Sequence, residues 1–135
     1  MEQIIVETLK DAVSPSVIYL FGSVATRHVR YDSDIDIAFL SDKRSSDKRS
    51  LDHYERFMLA QQLAERLQRD VDLIDLKQAS TVFQAQIVHS GKVIYCANEQ
   101  KRAEYEWRVL KMYAKLNEER EEILRNIVES GSVYD

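Results

Sequence analysis

The sequence predicts an α/β fold of the α+β kind, a small mixed sheet of about four strands flanked by helices, with a long helix closing the chain. Three observations carry that prediction. Short stretches rich in apolar β-formers occupy residues 17–21, 35–40 and 71–76, the last two carrying aspartates among them, the length and composition of strands. Helical spacing of apolar residues fills most of the intervals around them. From Asn98 onward nothing breaks a helical pattern for roughly thirty residues. A chain of 135 residues is long enough for one real core and too short for two. We therefore expect a single domain over 1–135, with its core at about 1–96 and a C-terminal helix at about 98–129.

The first helix is expected over residues 2–13, where Ile4, Ile5, Leu9, Ala12 and Val13 form one stripe. Ser14-Pro15-Ser16 ends it, because proline cannot continue a helix and biases its predecessor away from helical geometry. Strand one follows at 17–21 and stops at Gly22-Ser23. A short helix is expected at about 24–28, its first amides free to face an anion. Strand two occupies 35–40. The tandem pentapeptides of 41–50, SDKRS twice over, contain no apolar residue and read as an exposed loop.

Leu51, Tyr54, Phe57, Met58, Leu63 and Leu67 recur at helical intervals over 51–69, which predicts a helix with these residues as its apolar stripe. Strand three covers 71–76. Ser80 or Thr81 caps a helix to about residue 89, with Val82, Phe83, Ile87 and Val88 inward and Gly91 at its end. Residues 92–96 read as a fourth strand at a sheet edge. Asn98 caps the final helix, and Gly131 lies past its end. Its apolar series at 105, 109, 112, 116, 123 and 127 resembles a docking seam. A helix that long outreaches a domain this small, so residues 118–127 are expected to project, as a solvated end or as a surface for a homo- or hetero-oligomer. The helices are expected to pack mainly on one face of the sheet.

Composition excludes several functions. A 44% hydrophobic and 31% charged chain is ordinary for a soluble globular protein. A net charge of −4 gives no extended surface for nucleic acid. Cys96 is the one cysteine, so neither a disulfide framework nor a zinc site is expected. No run reaches membrane-spanning length and no secretion signal is read at the start, so the expected location is cytoplasmic.

Chemistry is expected where the second strand begins. In an extended segment side chains alternate, so Asp34 and Asp36 point one way while Ile35 and Ile37 point into the core. Two carboxylates side by side on a half-buried strand repel, and a cation between them relieves that cost. Oxygen-only ligands beside a Gly-Ser turn that can cradle phosphate suggest Mg²⁺ carrying a nucleotide.

Gly22-Ser23, ten residues, then Asp34-Ile35-Asp36 resembles the G-S-x10-D-x-D pattern of the nucleotidyltransferase superfamily that includes DNA polymerase beta. Within it, the short chain and the later Val71-Asp72-Leu73-Ile74-Asp75-Leu76 most resemble the minimal nucleotidyltransferases, the MntA-type antitoxins paired with HEPN-domain toxins. The likeness covers about residues 15–96. One departure stands in the turn. The family often reads G-S-x-A-R-G, whereas Thr26 and Arg27 occupy the last two positions here.

The resemblance implies transfer of AMP from ATP onto a tyrosine of a cognate HEPN ribonuclease toxin, with Mg²⁺ as cofactor. It implies Asp34, Asp36 and Asp72 as the catalytic metal ligands, since the superfamily's third acid resembles Asp72. Asp75 faces the other way and is the weaker candidate. Gly22 and Ser23, with Arg27 and Arg30 as further candidates, are expected to meet the phosphates. Two other readings stand beside this one. The chain could modify a small hydroxyl compound such as an aminoglycoside, or it could neutralise a toxin by binding without catalysis.

Overall fold

The computed structural model describes residues 1–22, 34–41 and 52–130. The chain runs α1 (Glu2–Val13), β1 (Pro15–Phe21), β2 (Ile35–Ser41), α2 (His53–Leu67), β3 (Val71–Asp75), a 3₁₀ turn (Leu76–Gln78), α3 (Thr81–Ser90), β4 (Lys92–Cys96) and α4 (Glu99–Ser130). The expected short helix at 24–28, most of the 41–50 loop, Leu51 and Gly131 lie outside the described residues.

The strands form one mixed sheet in the order β3-β2-β1-β4. β1 pairs antiparallel with both β2 and β4, and β2 pairs parallel with β3. The edge position expected for β4 is the one observed. β1 begins two residues earlier than expected, at Pro15. Proline is tolerated at the first residue of a strand or at a bulge, and the β1–β2 register shifts between Pro15 and Val17. Ser14 takes the left-handed conformation that ends α1, at φ 47°. β3 ends at Asp75, one residue earlier than expected. The Asp75 carboxylate accepts a hydrogen bond from the Lys77 amide at 3.0 Å, which turns the chain into the 3₁₀ segment.

Helices cover both faces of the sheet, not mainly one. Ile5, Leu9 and Val13 of α1 and Leu59 and Leu63 of α2 meet Ile18, Leu20, Ile35, Ile37, Phe39 and Leu73 on one side. Ala85 and Ile87 of α3 and Tyr105 and Val109 of α4 meet Val17, Tyr19 and Ala38 on the other. The two central strands are therefore apolar on both faces, which is why they read as continuous apolar runs. α2 also departs from expectation. Tyr54, Phe57 and Met58 are exposed, and the buried positions are Leu59 and Leu63.

Helix starts follow their caps. Asp52 accepts from the Glu55 amide at 2.7 Å and Ser80 from the Phe83 amide at 3.2 Å. Asn98 accepts from the amides of Gln100 and Lys101. Each satisfies a donor that the first helical turn leaves unpaired.

Candidate active site

Register brings the carboxylates together. Asp36 sits opposite Phe21 across the β1–β2 pair and opposite Asp72 across the β2–β3 pair. Ile35 and Ile37 point into the α1–α2 side of the core, as does Leu73. Alternation therefore turns Asp36 and Asp72 to the other face, in a row Phe21–Asp36–Asp72 across three strands. Asp34 lies one step before β2. The Ile35 amide donates to the Asp70 carbonyl at 2.8 Å, which fixes the start of β2 beside the approach to β3. Asp34 and Asp72 are exposed, and Asp36 is half-buried between them.

The electrostatics record that closeness. The Asp36 carboxyl is held above the ordinary aspartate range, first by burial and then by the charges of Asp72 and Asp34. Gly22 closes the site from above. Its φ of +72° is a conformation that L side chains rarely adopt, and a Cβ there would collide with Asp36 Oδ2. The backbone of the turn thus runs directly against the carboxylate. No other residue type leaves room for that approach.

The donor set is oxygen-only, crowded with negative charge and reached by a bare stretch of backbone. That chemistry suits Mg²⁺, which keeps several waters and is bound by one or two carboxylates together with substrate phosphates. Among the described residues no group of three or more Asp, Glu, His or Cys side chains could by itself hold a metal ion. Asp36 with its neighbours Asp34 and Asp72 would therefore hold an ion only together with the water and phosphate oxygens that the ion brings with it. Asp75 stands apart. It is buried and committed to capping the 3₁₀ turn.

Of the residues singled out in the sequence, Gly22, Asp34, Asp36 and Asp72 come together here. Ser23, Arg27 and Arg30 lie outside the described residues. A groove of about 360 Å³, lined by Leu40, Ser41, Lys77, Gln84, Lys101 and Arg108 among others, opens at the opposite end of β2. It contains none of Asp34, Asp36 and Asp72, so this groove and the chemistry are in different places. The residue that sequence reasoning missed is Phe21. Its ring packs edge-to-face on Phe83, with centroids 5.7 Å apart, and walls the row on the side opposite Asp72. Its place directly before Gly22 was the available signal.

The family described as polymerase beta, nucleotidyltransferase, matches residues 3–100. The protein adenylyltransferase MntA of Shewanella oneidensis is 38% identical over 128 residues, spanning 94% of this chain and 87% of that protein. A chain from the crystal structure of a toxin-antitoxin with AMP-PNP superposes with a TM-score of 0.80 at 37% identity, covering 94% of this chain and 98% of that one. A chain from the complex of tri-AMPylated Shewanella oneidensis HEPN toxin with MNT antitoxin gives a TM-score of 0.74 at 36% identity, covering 94% and 95%.

Proposed function

The chain belongs to the polymerase beta nucleotidyltransferase family, and from that premise we propose that it is an antitoxin that transfers AMP from ATP onto a tyrosine hydroxyl of a cognate HEPN toxin. Its relatives supply the reactants: a protein adenylyltransferase, a complex holding an ATP analogue, and a HEPN toxin carrying three AMP groups. The observation that carries the reading in this chain is the Asp36–Asp72 pair, with Asp34 two residues before Asp36 and the Gly22 backbone pressed against it.

In the reaction the acceptor oxygen forms a bond to the α-phosphorus as the bond from that phosphorus to the β-phosphate oxygen breaks, releasing pyrophosphate. Asp34, Asp36 and Asp72 would hold Mg²⁺, which when bound neutralises phosphate charge and makes the acceptor hydroxyl more acidic. Gly22 lets the turn approach the triphosphate, and we assign Ser23, Arg27 and Arg30 to its outer phosphates. Asp72 lies on β3, at the edge of the sheet, and is exposed. It is therefore open to a tyrosine arriving from another protein and placed to take that hydroxyl's proton. The whole chain reads as this one domain. No helix among the described residues is long and apolar enough to cross a membrane, and we place the protein in the cytoplasm, with the ATP and the toxin.

The test is intact mass. Incubated with ATP, Mg²⁺ and the toxin, the wild type adds AMP to the toxin in whole steps. The double variant Asp34→Asn with Asp36→Asn adds none while keeping its far-ultraviolet circular dichroism. Transfer by that variant at the wild-type rate would remove the carboxylate assignment.

A further inference from the structure

Three large apolar side chains that helical spacing assigns to the core stand in solvent instead. Tyr54 is 70% exposed, Phe57 58% and Met58 49%. They lie within five consecutive residues on the outer side of α2, whereas a soluble surface ordinarily scatters such groups singly. Beside them a groove of about 470 Å³ runs between α2 and the end of α1. Ala12, Tyr54, Met58 and Leu59 give it an apolar lining. Its charged lining residues are Glu55 and Glu65, and among the described residues no lysine or arginine lines it.

We propose that this α1–α2 groove is a second docking face, occupied by an amphipathic helix of the toxin whose apolar stripe is flanked by lysine or arginine. The proposal rests on the toxin-directed reading above. A trough between two helices accepts a third through apolar anchors spaced three and four residues apart. Tyrosine and methionine are suited to that role, one as a rigid amphipathic anchor and the other as an adaptable filler. Charge favours this occupant. A cationic rim on the incoming helix pairs with Glu55 and Glu65, whereas a second copy meeting this groove with its own groove would bring the same acids against each other. The location matters too. α1 and α2 cover one face of the sheet and the carboxylate row faces the other, so a toxin helix held here leaves the row uncovered.

The full-length chain is titrated calorimetrically with the cognate HEPN toxin whose acceptor tyrosines are replaced by phenylalanine, so that binding is read without transfer. Met58→Asp and Glu65→Lys are each expected to weaken binding by about tenfold or more, with AMP-PNP affinity unchanged. Glu65 is exposed and its replacement does not disturb the core, so it carries the test alone if Met58→Asp fails to fold. Toxin affinity within about twofold of wild type in the folded variants would overturn the docking face. So would a wild type that does not bind this toxin, or a wild-type dimer that Met58→Asp dissolves in sedimentation. Failure of the transferase reading looks different, because the unsubstituted toxin would then bind normally and gain no AMP.

Discussion

At the scale of single residues, Asp36 is the one whose chemistry costs the protein something. Burial, Asp72 and Asp34 all raise its carboxyl above the ordinary aspartate range. A carboxyl with a higher pKa folded than unfolded binds its proton more tightly in the folded state. Stability is therefore lost as pH rises from the unfolded value through the folded one, and it is regained below both. Asparagine cannot lose that proton. Asp36→Asn should melt a few degrees above wild type at neutral pH, a shift on the order of 1 kcal/mol or less. The two curves should converge in acid, below the ordinary aspartate range. Added Mg²⁺ should raise the wild-type midpoint and leave that of the variant nearly unmoved. Thermal melts at several pH values, with and without the ion, check all three. A variant less stable than wild type at neutral pH would contradict the crowding described here. Much of this site was legible in the sequence, since alternation alone pairs Asp34 with Asp36. That Asp72 joins them was expected from the family resemblance and not from local pattern, because parallel register depends on a crossover whose docking no local pattern encodes.

At the scale of elements, the starts of α3 and α4 were readable, because Ser80 and Asn98 are caps whose hydrogen bonds are local; Asp52 caps α2 in the same way, although that helix was expected from residue 51. Periodicity reports which residues share a face and says nothing of what the face meets, so Tyr54, Phe57 and Met58 looked like core. The coverage of both sheet faces had a signal, since Tyr19 and Leu20 adjoin in an unbroken apolar run and both are buried. The attachment of α4 had none. The Tyr19 hydroxyl donates to Glu106 Oε1 at 2.8 Å across eighty-seven residues of sequence. Arg102 lies 3.7 Å from Glu106 and 2.6 Å from Glu99, and the Tyr105 hydroxyl donates to Gln84 Oε1 at 2.7 Å. Burial and the neighbouring Glu106 hold the Tyr19 phenol far above the ordinary tyrosine range, so it remains a donor at any pH the fold meets. Tyr19→Phe keeps the ring and removes the donor, leaving Glu106 to Arg102 alone. The expected cost is about 1–2 kcal/mol in urea unfolding, with the m-value unchanged. A neutral substitution would mean that the strand–helix link contributes nothing to holding α4 on the sheet.

At the scale of the molecule, the question is why α4 is so long. Its thirty-two residues reach about 48 Å, yet Tyr105 and Val109 are its buried side chains and Tyr113 packs beside them. From Glu118 to Glu129 every side chain is exposed, including Ile123 at 58%, Leu124 at 61% and Val128 at 77%. Helical backbone propagates more easily than it nucleates, so the packed turns can carry the outer ones without further tertiary contact. The fold then gains little from the outer half. A chain ending after Asn117 should melt within about 3 °C of the full-length protein and lose helical ellipticity in proportion to the residues removed. Ending the chain before Tyr105 removes two buried side chains worth about 1.5–3 kcal/mol each, and that variant should fail to fold at 37 °C. If instead the 117-residue chain melted about 10 °C lower, with a midpoint that rose with protein concentration in the full-length form, the outer half would be buried against another copy. With the expected result, the length of α4 answers to something other than the stability of this fold.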